Sequence, residues 1–205
     1  MKRIFFVLAV AALLSSAVFQ TTGCLKEKVY EIVLFDETST DIHHQETSVN
    51  NSQPVIVNYG DQIDKILKDA GWSRDKVKSA KVVAAYYGAT ANNNSHDWAV
   101  AGGFQVERID DPAGPALIVN YTFDSVDMAL GKKIQASLND AGVDILNQAL
   151  ADFISGANPV LEFSVADGAT ITPTPSGADA LDVETRAWIK IHVILEDESE
   201  FPDPF

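Results

Sequence analysis

The sequence predicts a mainly β chain folded as an antiparallel β-sandwich, with two short helices set in crossovers between strands. Three observations carry this reading. Period-two alternation runs from Val183 to Leu195, several further β-rich runs are separated by turn residues, and two segments have helical spacing. An α+β arrangement with both helices on one sheet face is the alternative.

The clearest strand places Val183, Thr185, Ala187, Ile189, Ile191, Val193 and Leu195 on one face. Glu184, Arg186, Trp188, Lys190, His192 and Ile194 fall on the other. One apolar and one largely polar face suit an antiparallel sheet better than a parallel one, whose strands are buried on both sides. Leu117 to Phe123 alternates in the same way, and Trp98 to Ile109 puts Val100, Phe104 and Val106 together. Turn residues between them, Asp110 to Pro115, make the two runs a hairpin. Gly102-Gly103 marks a bulge or a close backbone approach. Ser79 to Tyr87, Val29 to Asp36 and Val160 to Val165 are further strands, and Ile42 to Val49 and Lys132 to Leu138 are weaker candidates. Gly88 to Asp97 and Ile171 to Ala180 read as loops, and Glu37 to Gln53 as a long polar segment.

The first helix spans Asp61 to Ala70, with Ile63, Ile66 and Leu67 on one side. Asp61 is placed to cap it, Gly71 to stop it, and Asp61–Lys65 and Asp64–Lys68 to pair along it. The second runs from Gly142 to Ser155 with Ile145, Leu146, Ala149, Leu150, Phe153 and Ile154 as its apolar stripe, and ends at Gly156. Trp72, just past the first helix stop, reads as a plug for one end of the sandwich.

Charge narrows the function classes. The 205 residues carry 15 Lys+Arg and 29 Asp+Glu, for a net charge of −14. A surface that acidic does not neutralise a phosphate backbone, so nucleic acid is excluded as a partner. One cysteine makes neither an internal disulfide nor a cysteine-based zinc site.

That cysteine follows a segment set apart from the fold. Met1-Lys2-Arg3 is a positive start, Ile4 to Leu14 is an uninterrupted apolar run, and Ser15-Ser16-Ala17 follows. The run is shorter than the roughly 20 residues that cross a bilayer and fits the apolar region of a secretory signal. Thr21-Thr22-Gly23-Cys24 resembles the lipobox of bacterial lipoproteins, with Gly23 and Thr22 matching and Thr21 standing where Leu is usual. The resemblance implies cleavage before Cys24 and acylation of that residue. It also implies sorting by the next residue, and Leu25 is not the Asp that retains such proteins in an inner membrane. Cleavage by ordinary signal peptidase, near Ala17, is the competing expectation and would leave Cys24 a free thiol. The implied organisation is a signal peptide over 1–23, a lipidated tether over 24–28, one sandwich domain over 29–196 and an acidic tail over 197–205. The whole pattern, an anchored acidic sandwich with two short helices, resembles immunoglobulin-like lipoproteins of bacterial envelopes.

Sites of chemistry are sparse. P-loop, dinucleotide-binding, zinc-protease, nucleophile-elbow and EF-hand spacings do not occur. Asp41 and His43 share one face of an extended segment and are candidate ligands for a divalent ion with His96 or Asp97, against the plainer expectation of solvated polar residues. Trp188 is the candidate for surface recognition, because its neighbours on that strand face are polar. His192, four residues on, belongs to the same candidate surface. Trp72, Trp98, Tyr86, Tyr87 and Tyr121 either join such a platform or pack in the core.

The reading is an exported, lipid-anchored, non-enzymatic envelope module that needs no cofactor. It is held to the membrane through Cys24, at the outer membrane or cell surface, and presents a surface to a protein or glycan ligand. One alternative is an assembly subunit pairing through an exposed strand edge. Another is a hydrolase with a site dispersed over loops.

Overall fold

A computed structural model describes residues 28–46, 54–94, 96–110, 114–166, 170–176 and 180–199. Cys24, the expected signal segment and the last six residues lie outside them. The described chain is an antiparallel β-sandwich of two sheets. Sheet A has the order β1-β9-β3-β6, formed by Lys28–Glu46, Leu181–Ser199, Val77–Asn92 and Ile134–Ala136. Sheet B has the order β2-β7-β4-β5, formed by Val55–Asn58, Val160–Val165, Ala99–Arg108 and Ala116–Phe123, and β8 (Thr170–Thr172) pairs with β4.

The alternation read from β9 sets the inner face of sheet A. Leu181, Val183, Thr185, Ala187, Ile189, Ile191, Val193 and Leu195 are all buried. Sheet B answers with Val100, Phe104, Val106, Tyr121, Phe123, Leu161 and Phe163. Fully burying one such aliphatic or aromatic side chain contributes about 1.5–3 kcal/mol, so the two facing rows are the main source of stability.

Both expected helices lie in crossovers from one sheet to the other. Helix α1 (Tyr59–Asp69) joins β2 to β3, and α3 (Asp140–Ile154) joins β6 to β7. Ile63 and Leu67 of α1 and Leu146, Leu150 and Phe153 of α3 enter the core. The start of α1 differs from the expectation. Asn58, not Asp61, caps it, and the Asn58 side chain accepts the Asp61 N–H at 3.2 Å. The strand ends on Asn58, so the first orphan amides of the helix fall within its reach. The ion pairs differ too: Lys65 pairs with Asp69, and Asp64 with Arg74. Gly71, at φ +83°, stops the helix, and the Trp72 N–H returns to the Leu67 carbonyl at 2.8 Å. That closure seats Trp72 against the core.

Three stretches depart from the expected loops. β1 continues through the polar segment to Glu46, β3 runs past Tyr87 to Asn92, and β8 forms at Thr170–Thr172. β9 also continues to Ser199, into the acidic segment. A four-residue helix α2 (Val126–Ala129) follows β5. The asparagine run after β3 is structural: Asn93 and Asn94 hold the start of β9 through Asp182 and the Ala180 carbonyl.

Candidate functional site

The outer face of sheet A carries two half-buried aromatic residues, Tyr86 and Trp188. Two bulges in β3, between Val82 and Ala84 and between Ala89 and Ala91, bracket a regular stretch. Within it Ala84 stands opposite Lys190, Tyr86 opposite Trp188, and Gly88 opposite Arg186. Directly opposed residues on antiparallel strands have Cβ atoms about 5 Å apart, so Tyr86 and Trp188 are neighbours on one surface. Gln135 of β6 and Ser39 of β1 complete that row.

Gly88 shapes the site. A Cβ there would lie 2.1 Å from the Lys132 carbonyl oxygen and 3.1–3.2 Å from the Trp188 ring atoms Cζ3 and Cη2. The missing side chain lets the Trp188 ring lie over the sheet and lets the Lys132-Lys133 backbone cross beside it. Lys133 Nζ then sits 4.7 Å from the Tyr86 ring centroid and 5.3 Å from that of Trp188. Each such cation–π contact at an exposed site contributes about 0.5–1 kcal/mol. On the other side the Arg186 guanidinium is 5.9 Å from the Trp188 ring. Asp41 grips Arg186 through two hydrogen bonds, from Nε and from Nη2. These bonds hold the Arg186 pKa above its ordinary value.

The structure thus brings Trp188, Tyr86, Lys133 and Arg186 together. His192 lies two positions along the same strand face, opposite Lys81, half-buried and with its Nε2 shielded from solvent. Trp98 and Tyr121 are core residues, and Tyr87 stacks inward on Tyr121 and Phe123.

Three of the four candidate metal ligands, Asp41, His96 and Asp97, are engaged elsewhere. Asp41 binds Arg186, and Asp97 accepts the backbone N–H groups of Trp98 and Asp127, each at 2.9 Å. The His96 ring stacks on Trp98 at 4.4 Å. Among the described residues no group of three His, Cys, Asp or Glu side chains is placed to hold a metal ion.

A shallow groove of about 330 Å³ lies elsewhere, lined by Arg108, Ile109, Asp110, Asp152, Asn158 and Pro159 among others. Arg108 reaches both Asp110 at 3.0 Å and Asp152 at 2.5 Å. Its charge is matched within the chain, and those two carboxylates raise its pKa.

No family model and no curated protein matches the chain. A cryo-EM structure of Mud crab tombus-like virus is similar over 100% of this chain and 95% of that one, at 12% identity and a TM-score of 0.35. A likeness at that level carries no argument about function.

Tyr86 was one of five aromatic residues that the sequence left open between the platform and the core, and Lys133 was not singled out at all. The signal that would have separated Tyr86 from the other four is its position opposite Trp188, and the bulge at Val83 conceals it. Strict alternation puts Val82, Ala84 and Tyr86 on one face. The bulge turns Val82 inward and leaves Ala84 and Tyr86 outside.

Proposed function

We propose that the chain is an exported, lipid-anchored envelope module without catalytic activity, and that its binding surface is the outer face of sheet A around Trp188. The observation that supports this most is the Tyr86–Trp188 pair, two half-buried aromatic residues opposite each other in register on the outer sheet face and flanked by Lys133 and Arg186. Trp, Tyr and Arg are the residues that most often dominate binding energy when clustered.

The placement of the pair fits a tethered module. Cys24 precedes the first strand residue, Lys28, by four positions, and Trp188 stands opposite Ser39 of that strand. The rise of an extended strand puts Ser39 roughly 35 Å from Lys28. A lipid at Cys24 therefore holds one end of sheet A at the bilayer and carries the aromatic pair away from it. Several acyl chains anchor firmly, since each buried CH₂ adds about 0.8 kcal/mol.

Two measurements test the reading. Cys24→Ser is expected to move the protein from the membrane to the soluble fraction, and unchanged sedimentation with membranes overturns the anchor. A photo-crosslinking residue at position 86, in whole cells, is expected to capture an envelope component. Equal capture from position 56 on sheet B would remove the assignment of the surface.

A second reading has an observation of its own. β1 is 19 residues long and ends the strand order of sheet A, the position from which strands pair between chains. A stable oligomer by light scattering of the detergent-solubilised chain favours an assembly role, and a monomer favours ligand presentation.

A further inference from the structure

We infer that the outer face of sheet B, where β4 and β7 border the groove, docks a protein segment that presents a basic and an apolar side chain together. This face belongs to the other sheet from Trp188 and does not depend on the reading of that surface.

The first observation is a pair of carboxylates without a counter-charge. Glu107 of β4 and Glu162 of β7 stand directly opposite each other in register, and both are half-buried. Like charges so placed have Cβ atoms about 5 Å apart and destabilise the sheet. Among the described residues neither carboxylate has a hydrogen bond or an ion pair. Arg108, the cation next in sequence, is turned to Asp110 and Asp152, which already match its charge. On sheet A, by contrast, Glu196 has Lys78 and Asp41 has Arg186. The opposed glutamates therefore cost stability in the free chain, and a cation brought by a partner removes that cost.

The second observation is apolar. Of the four large apolar side chains exposed among the described residues, two border this pair. Ile56 of β2, 65% exposed, stands opposite Glu162, so that Ile56, Glu162 and Glu107 form one row across three strands. Ile109, 53% exposed, follows β4 and lines the groove of about 330 Å³ with Val160 and Pro159. Val160 is two residues from Glu162, on the same face of β7. Exposed apolar side chains that gather in one place mark interaction surfaces, whereas single ones do not.

Together these set the chemistry of the partner. Along β7 the acidic and apolar positions are two residues, roughly 7 Å, apart. A segment with an apolar side chain and a Lys or Arg at about that distance on one side meets both. The apolar group enters the groove on Ile109 and Val160, and the cation takes the two carboxylates. Residues two apart in an extended chain have this spacing. The net charge of −14 attracts cations to the whole surface, and the apolar contact is what makes this place specific.

The test uses the full-length protein in a non-ionic detergent at about 0.15 M salt, which screens charges beyond roughly 8 Å. Three labelled peptides are compared by fluorescence anisotropy: repeats of Leu-Thr-Lys-Thr, of Leu-Thr-Gln-Thr and of Ser-Thr-Lys-Thr. The first is expected to bind at least about fivefold more tightly than either of the others. Glu107→Gln combined with Glu162→Gln is expected to abolish its advantage over the Gln peptide, and Ile109→Ser its advantage over the Ser peptide. Asp124→Asn combined with Asp144→Asn removes two exposed carboxylates elsewhere and is expected to leave both advantages unchanged. Without peptide, Glu107→Gln is expected to raise the melting temperature more than Asp124→Asn does, which also establishes that it folds. Equal binding of the three peptides, or an equal loss in the Asp124 and Asp144 control, overturns the docking site. A melting temperature raised no more by Glu107→Gln than by Asp124→Asn overturns the unmatched pair on which it stands. A component captured equally from positions 56 and 86 in cells counts against the Trp188 face, whereas this face stands or falls with the peptide titration.

Discussion

A methyl group at position 88 has nowhere to go. The Lys132 carbonyl and the Trp188 ring both occupy its space, and the carbonyl belongs to backbone held by the Gly131 N–H on the Ala89 carbonyl and the Lys132 N–H on the Ala129 carbonyl, each at 3.0 Å. Gly88→Ala is expected to cost about 1–3 kcal/mol, the usual range for forcing extra volume into packed structure, and to shift the tryptophan emission as the ring is displaced. Denaturant unfolding followed by fluorescence reads both at once. Asp97 gives a second residue-level expectation. Its carboxylate accepts the Asp127 N–H and the Trp98 N–H, with the Ser125 hydroxyl beside it, and these groups, Asp127 first, hold its pKa below the ordinary 3.8. A folded pKa that is depressed stabilises the protein above the unfolded value, and that stability is lost as pH falls from there through the folded pKa. Asp97→Asn is therefore expected to lower stability at neutral pH and to flatten the loss of stability below about pH 4. An acid limb as steep as that of the unaltered protein would contradict this.

At the scale of elements, α3 is placed by two contacts with the sheets. Gly142 lets the first turn of the helix lie on β5, where a Cβ would approach the Leu117 carbonyl oxygen to 2.4 Å and Ile118 Cα to 2.7 Å. Asn147 accepts the Val82 N–H at 2.9 Å, an amide next to the β3 bulge. Gly103 is tight in another way, since its nearest neighbour is the Leu117 side chain at 2.4 Å, which is free to turn. Gly142→Ala is expected to destabilise by about 1–3 kcal/mol and Gly103→Ala by less, because backbone cannot give way as a side-chain terminus does. Chemical denaturation of the two variants side by side measures the order. The same elements show how far the sequence could be read. β9, β7 and the β4–β5 hairpin were legible because alternation and turn residues agree with their burial. The far half of β3 was not. Gly88-Ala89-Thr90-Ala91-Asn92 has the composition of a loop, and it is held extended by pairing with Val183 to Arg186, about 90 residues away in sequence. The candidate site shared that fate. Trp188 was visible from its polar neighbours and Tyr86 was left open between platform and core, whereas the register that pairs them and the approach of Lys133 depend on a bulge and a backbone crossing that leave no pattern in sequence.

For the molecule as a whole, acidity acts against compactness. The chain carries a net charge of −14, and its cations are concentrated partly on one face of sheet A. Self-repulsion of the excess carboxylates is long-ranged, while pairs such as Lys78–Glu196, at 2.5 Å, and Arg108–Asp152 are contacts that salt weakens less. The thermal midpoint is expected to rise as ionic strength goes from low values to about 0.15 M, where screening already acts beyond roughly 8 Å. Scanning calorimetry at a series of salt concentrations checks the sign. A midpoint that falls would mean that the local ion pairs outweigh the net charge.

The order β1-β9-β3-β6 has a further consequence, which concerns synthesis. β9 is the strand between β1 and β3, and its ladder with β1 joins Lys28 to Ser199 and Glu46 to Leu181. Sheet A therefore has no centre until residues 181–199 have left the ribosome. Its closing contacts span most of the chain, which is the arrangement that folds slowly because the loop must be closed before the contacts repay it. Sheet B, complete by Thr172, can form before then, but it has no second sheet to pack against until β9 is made. The pairing of an early strand with a late one thus acts as a timer, delaying the sandwich until the whole length is available.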